Sequence, residues 1–242
     1  AALAGCAVIT GNLTIENTSV TNLGNLPSLT SVGGDLHIQD NAALTNVNGL
    51  AWLTSVGGYL RILGNNALTH IDGLWSISSV GGYLSIYDND NALTNVDGLS
   101  SLTSVGGFLS VNGNDALTNV NGLASLTSVG ENLSITDNAA LTSVDGLWNI
   151  SSVGGTLSIS YNAALPNVDG LSSLSSVVDD LHIYDNPALT NLDGLSSLTS
   201  VGGDVQIHDN LALCQNLVYA FLAACTSCGT VQDITGNTGT CP

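Results

Sequence analysis

The chain has 242 residues and a formal net charge of −18, with Arg61 its only Lys or Arg against 19 Asp and Glu. A field of that sign repels polyphosphates and anionic lipid, which excludes nucleic acid and acidic membrane surfaces as partners. Hydrophobic residues make up 44% of the chain, too many for a disordered polymer. No run nears the ~20 apolar residues of a membrane span.

Residues 1–31 read as an entry cap and first irregular coil, in which Gly11-Asn12-Leu13-Thr14-Ile15 imitates the later Gly34-Asp35-Leu36-His37-Ile38. The opening Ala-Ala-Leu-Ala-Gly shows no signal peptide and reads as a processed form. From residue 32 to 210 the chain repeats. Val32, Val56, Val80, Val105, Val129, Val153, Val177 and Val201 recur every 24 residues, with one step of 25 between Val80 and Val105. The extra residue falls in Asp88-Asn89-Asp90-Asn91. So strict a period is the mark of a solenoid.

Each repeat has three segments. Gly-x-Leu-x-Ile-x, as in Gly82 to Tyr87, alternates with period two and predicts a strand with Leu and Ile inward. Ala-Leu-Thr-Asn-Val (Ala92 to Val96) and Leu-Thr-Ser-Val (Leu102 to Val105) space their apolar residues by three, which predicts bent strands or turns. Asp-Gly or Asn-Gly follows the second segment, at Asp72-Gly73, Asp97-Gly98 and Asn121-Gly122. There the Asx side chain is expected to bond the backbone and Gly to supply a positive φ. No segment is long enough for a crossover helix. The expected fold is all-β: a parallel solenoid of about 24-residue coils, stacked at about 4.8 Å, with one core running through it.

One polar column runs through the repeats: Asn41, Asn65, Asn89, Asn114, Asn138, Asn162, Asn186 and Asn210. It predicts a ladder in which each amide serves the backbone at a corner and the next amide along the stack.

Residues 211–242 form a different, Cys-rich cap. Leu213, Leu217, Phe221 and Ala224 have helical spacing, with Asp209 or Asn210 as N-cap, so a short helix is expected to close the end of the core. Cys214 and Cys225 lie too far apart along such a helix to pair. Two pairings remain: Cys214–Cys228 with Cys225–Cys241, or Cys214–Cys241 with Cys225–Cys228. Cys6 is left over at the far end of the rod, beyond reach of the others. An odd Cys of this kind points to intermolecular pairing or a free thiol.

At this point a resemblance is plain. Leu-x-Ile-x-x-Asn followed by Leu-x-x-Val resembles a leucine-rich repeat. The stretch Cys6-Ala7-Val8-Ile9-Thr10-Gly11-Asn12-Leu13-Thr14-Ile15 is similar to the opening of a receptor L domain. That family is the leucine-rich-repeat-like β-solenoid of growth-factor receptor ectodomains, with related repeats in fungal cell-wall and secreted bacterial proteins. The resemblance covers about residues 6–212. It implies an extracellular or cell-surface role, without catalysis, in binding a protein or a glycan.

The residues bear on function in the same direction. His37, His70, His182 and His208 sit in no nucleophile motif, and there is no phosphate loop or zinc spacing. Two carboxylate columns suggest calcium: Asp40, Asp88, Asp137, Asp185 and Asp209, and Asp72, Asp97, Asp145, Asp169 and Asp193. Turn capping accounts for both without metal, so no cofactor is expected. The outward face of the first strand carries Tyr59, Tyr83, Phe108 and Tyr87 beside Arg61, an aromatic cluster that reads as a contact surface. Cross-strand stacking that merely stiffens the sheet is the competing reading. Thr columns (Thr45, Thr69, Thr94, Thr118, Thr142, Thr190; Thr30, Thr54, Thr103, Thr127, Thr199) look like ice-binding arrays, and sequons stand at Asn12, Asn17, Asn132 and Asn149. The expected role is a recognition or adhesion module. The alternatives are a structural rod assembling end to end with copies of itself, and ice binding.

Overall fold

The computed structural model describes residues 5–24, 26, 28–89 and 92–241. The chain winds as a parallel β-solenoid that places one strand of each coil in each of two ten-stranded parallel sheets. The long-strand sheet starts at Leu13–Glu16, takes four-residue strands such as Leu36–Gln39, Leu60–Leu63 and Leu84–Tyr87 up to Val205–His208, and ends on Val231–Asp233. Leu stacks on Leu and Ile on Ile, as in Leu36↔Leu60↔Leu84 and Ile38↔Ile62↔Ile86. From Leu36 to Ile207 the inward Leu, Ile and Val are fully buried and belong to one continuous core, while Leu13, Ile15 and Val231 at the two ends are more open.

In the segment Leu-Thr-Ser-Val only Ser and Val are extended. These two-residue strands, from Val8–Ile9 through Ser104–Val105 to Ser227–Cys228, make the second sheet. The Leu three residues before each Val ends a turn, which is why its spacing is not that of a strand.

The Asx-Gly motifs are not the turns expected of them. Each opens a 3-10 turn, as at Asp72–Leu74, Asp97–Leu99 and Asp145–Leu147. None of these glycines has a positive φ. Glycine is required because coils touch there: a Cβ on Gly146 would collide with the carbonyl oxygen of Val120 one coil back. Nor is the Asx residue the cap. The residue two positions earlier accepts its N–H: Asn95 Oδ1 from Asp97 at 3.1 Å, and Ser143 Oγ from Asp145 at 3.0 Å.

Positive φ occurs instead in the first carboxylate column. Asp40, Asp88, Asp137, Asp185 and Asp209 have φ of 53–56°, Gly64 and Gly113 have 65° and 61°, and Tyr161 has 58°. The column collects residues that tolerate the left-handed region, and its glycine interruptions follow the same rule.

The asparagine column lies at the corner after each long strand and is fully buried. Asn138 shows the pattern. Its Oδ1 accepts from the N–H and Nδ2 of Asn114 at 3.2 and 3.4 Å. Its Nδ2 donates to Val111 O and Thr136 O, both at 3.0 Å. Its own N–H reaches Asn162 Oδ1 at 3.2 Å. Beyond the eight expected members, Asn237 accepts from the N–H and Nδ2 of Asn210 at 3.2 Å each. At the other end Thr18 stands in the column, giving its N–H and Oγ1 to Asn41 Oδ1. Asn89 keeps its place, so the extra residue of its coil falls at Asp90 and Asn91, outside the described residues.

The C-terminal helix spans Gln215–Ala224 with Cys214 as N-cap and no side-chain cap. Asp209 and Asn210 are unavailable as caps because one ends a strand in the left-handed region and the other is a ladder member. The buried face is Val218 and Phe221, with Leu217 and Leu222 partly buried beside them; of the expected stripe Leu217 and Phe221 meet the core, Leu213 is buried but precedes the helix, and Ala224 is exposed. The helix does not close the end of the core by itself. It stands where earlier coils have their 3-10 turn, and the chain then adds one more strand to each sheet. Cys214–Cys241 and Cys225–Cys228 are the disulfides, with Cα separations of 4.9 and 5.7 Å. The first ties the start of the helix to the chain end and the second closes its exit. Cys6 is a half-buried free thiol whose Sγ lies 3.3 Å from Val8 O.

Candidate binding face

The long-strand sheet puts alternate side chains outward, so three outward columns run along the axis. The first precedes each strand: Asp35, Tyr59, Tyr83, Phe108, Asn132, Thr156, Asp180, Asp204. Three of its short polar members, Asp35, Asn132 and Asp180, have a local task, accepting the N–H of their successors. Asp35 Oδ1 takes Tyr59 N–H at 3.1 Å and Asp180 Oδ1 takes Asp204 N–H at 2.7 Å. The aromatic members cannot do this and stack instead. Tyr59 lies 4.3 Å from Tyr83, and Tyr83 4.5 Å from Phe108, each pair within 5° of parallel. His37 meets Tyr59 edge-on at 4.7 Å. These spacings follow the rise between coils. The rings therefore spend their faces on one another and turn edges to solvent. Burial, then the Asp35 carboxylate and Tyr83, hold the Tyr59 phenol above its ordinary pKa.

Arg61 is in the middle column, in register with His37 and Ser85. It leans across to the third column, where its Nη2 donates to Tyr87 Oη at 3.3 Å and its guanidinium carbon lies 5.4 Å from the ring centroid. The five residues singled out in the sequence thus form a three-ring stack and, beside it, an Arg–Tyr pair. All five are half-buried.

A second aromatic group went unread in the sequence. Tyr184 stacks on His208 at 4.8 Å and meets Tyr161 edge-on at 5.4 Å. Tyr184 and His208 share the third column, but Tyr161 occupies a left-handed corner position that no strand pattern would bring to them. Trp52, Trp75 and Trp148 were also passed over. They stand 59%, 52% and 52% exposed at or beside the ends of 3-10 turns.

The threonine columns have an internal use. Thr54 Oγ1 donates to Thr30 O at 3.0 Å, Thr118 to Thr94 O at 3.0 Å and Thr142 to Thr118 O at 3.1 Å, and Ser78 and Ser175, which interrupt the array, do the same. Among the described residues no group of three or more His, Cys, Asp or Glu is placed to hold a metal ion. The second carboxylate column is a line of like charges: burial, then Asp193 and Asp145, push the Asp169 carboxyl above its usual range. No described helix is long and apolar enough to cross a membrane.

Residues 5–71, the N-terminal coils of this parallel solenoid, match the family model described as Receptor L domain. No curated protein matches the chain. Among solved structures, an internalin (inlF) from Listeria monocytogenes str. 4b F2365 is similar in fold, with 19% identity and a TM-score of 0.45. The match covers 94% of this chain and 62% of the internalin.

Proposed function

We propose that the chain is a non-enzymatic recognition module that works outside the cell and binds a protein partner with the outward face of its long-strand sheet. The observation that carries this reading is the stack Tyr59–Tyr83–Phe108 with Arg61 and Tyr87 beside it. Tyr and Arg are side chains that anchor protein interfaces, and here they sit together on a sheet whose other outward residues are mostly small and polar. The receptor L-domain match at the N-terminal coils supports a binding role, and two disulfides support an oxidising compartment. The threonine hydroxyls are engaged by backbone carbonyls, which favours a structural task for them over ice binding.

The test is a triple substitution, Tyr59, Tyr83 and Phe108 each to Ser, read on an array of receptor ectodomains and cell-surface glycans. Wild-type protein is expected to bind a protein on the array, and the triple variant to lose it while its melting temperature falls only modestly. Retained binding removes this face from the reading. Binding that depends on the end strands instead would point to end-to-end assembly.

A further inference from the structure

We infer that Arg61 is the anchor for a single carboxylate of the partner, an Asp or Glu side chain presented by a protein loop. The inference rests on the recognition reading above and names what that face recognises.

Arg61 is the sole Lys or Arg in a chain with 19 acidic residues, yet among the described residues it forms no ion pair. The only ion pairs found there are His70–Asp72 and His208–Asp209. Arg61 is held by a neutral group, the Tyr87 hydroxyl, and by the Tyr87 ring. A guanidinium has five N–H donors in a planar fork suited to a carboxylate. Tyr87 takes one, and no other described acceptor takes any of the rest.

The surroundings favour an acceptor as well. Ser85 is in register beside Arg61, and Ser110 follows one coil on. Both are half-buried, and neither hydroxyl has a partner among the described residues. The stacked rings point their edges outward, and an aromatic edge is the positive end of its quadrupole. Arg61, the ring edges and the serine hydroxyls make one small donor-rich patch on a molecule of net charge −18, with the Asp35 carboxylate beside its Tyr59 end. That combination is selective. A polyanion is repelled by the whole molecule, whereas one carboxylate on a neutral or basic body is not. Half-burial beside the rings reduces screening, so the pair gains more there than on open surface.

A protein with one arginine gives one arginine Nε–Hε resonance, so Arg61 can be watched directly by NMR in 15N-labelled protein. Two small probes are compared, acetyl-glutamate N-methylamide and acetyl-glutamine N-methylamide. The glutamate probe is expected to shift the Arg61 signal and the glutamine probe to leave it in place. A displayed library of random peptides is then selected on the wild-type protein. The selected peptides are expected to share an acidic residue and to lose on the order of tenfold in affinity with Arg61→Gln, with Arg61→Lys also weakened for want of the fork. Unchanged melting of both variants shows that the fold is intact. Equal response to the two probes, or none, overturns the inference. Peptides that lose binding with the aromatic triple variant but not with Arg61→Gln also overturn it, while leaving the recognition face standing. Peptides indifferent to both changes sink the two together. An acidic glycan that binds through Arg61 where no peptide does would replace the protein carboxylate with a sugar's.

Discussion

The buried corner and the outward face of the same strands differ sharply in how they vary. At the corner, eight coils in succession carry asparagine, and the position is fully buried in each. Two to six residues earlier, the outward columns change from Tyr to Asn to Thr to Asp without disturbing the register. The corner is uniform because each amide must accept from the coil before it and donate to the coil after it, so no link can be altered alone. The outer columns have no such obligation. Departures from the repeat on that face are therefore where information specific to this chain is held, and Arg61 with its aromatic neighbours is the largest departure.

Four substitutions break or sharpen this contrast. The greatest loss is expected from Asn138→Leu, which strips partners from Asn114 N–H and Nδ2 and from Val111 O and Thr136 O, all at a buried corner. About 3 kcal/mol of stability should disappear, read as a lower midpoint in chemical denaturation. An unaltered midpoint would mean that the ladder is not holding the coils. Next is Gly146→Ala, where the added methyl meets the backbone of the preceding coil rather than a side chain that could yield. It should cost about 2 kcal/mol, visible as a drop in melting temperature.

The outer positions should respond weakly, or in the opposite direction. Tyr161 holds a left-handed φ of 58° where other coils use Asp or Gly. Tyr161→Asp should stabilise by roughly 0.5–1 kcal/mol once the lost ring contact with Tyr184 is subtracted. A lower melting temperature would show that the ring contact is the larger effect. The smallest change is expected from Asp169→Asn. Asp169 titrates above its ordinary range in the folded chain because of burial and the charges of Asp193 and Asp145. A raised carboxyl pKa favours the folded state when protonated, so the wild-type chain gains stability as pH falls through that range. The Asn variant should melt slightly higher than wild type at neutral pH, and the difference should close in acid. A gap independent of pH would rule out charge repulsion as its cause.

Much of the architecture was legible because a solenoid repeats its instructions. Leu-x-Ile named the long strand and the Asn column named the corner, each several times over. The second sheet was obscured because only Ser and Val of its segment are extended, too short to show alternation. The 3-10 turns were misread because Asx-Gly is ordinarily a sign of positive φ. Here the glycine answers a contact between coils 24 or 25 residues apart, which no local pattern records. Asn237 was missed because the helix lengthens its coil and places it 27 residues after Asn210. On the candidate face, the aromatic cluster could be found by aligning columns. That its rings stack was the competing expectation, and their near-parallel, face-to-face geometry is set by side-chain rotation rather than residue type.

The asparagine ladder has a direction. At each link the Oδ1 receives from the N-terminal side and the backbone N–H is given toward the C-terminal side, so a chain cut between coils would always finish with a corner N–H that no asparagine accepts. The first coil avoids the complementary problem by starting from Thr18, which only has to give. At the last coil Gln215, delivered by the first turn of the helix, takes the place of the next asparagine: its Oε1 accepts from Asn237 Nδ2 at 3.4 Å, as Asn162 Oδ1 accepts from Asn138 Nδ2 at 3.3 Å. The helix and its two disulfides thus act as a full stop in a one-way sentence. Coils could be copied or removed upstream of it without rewriting the ending.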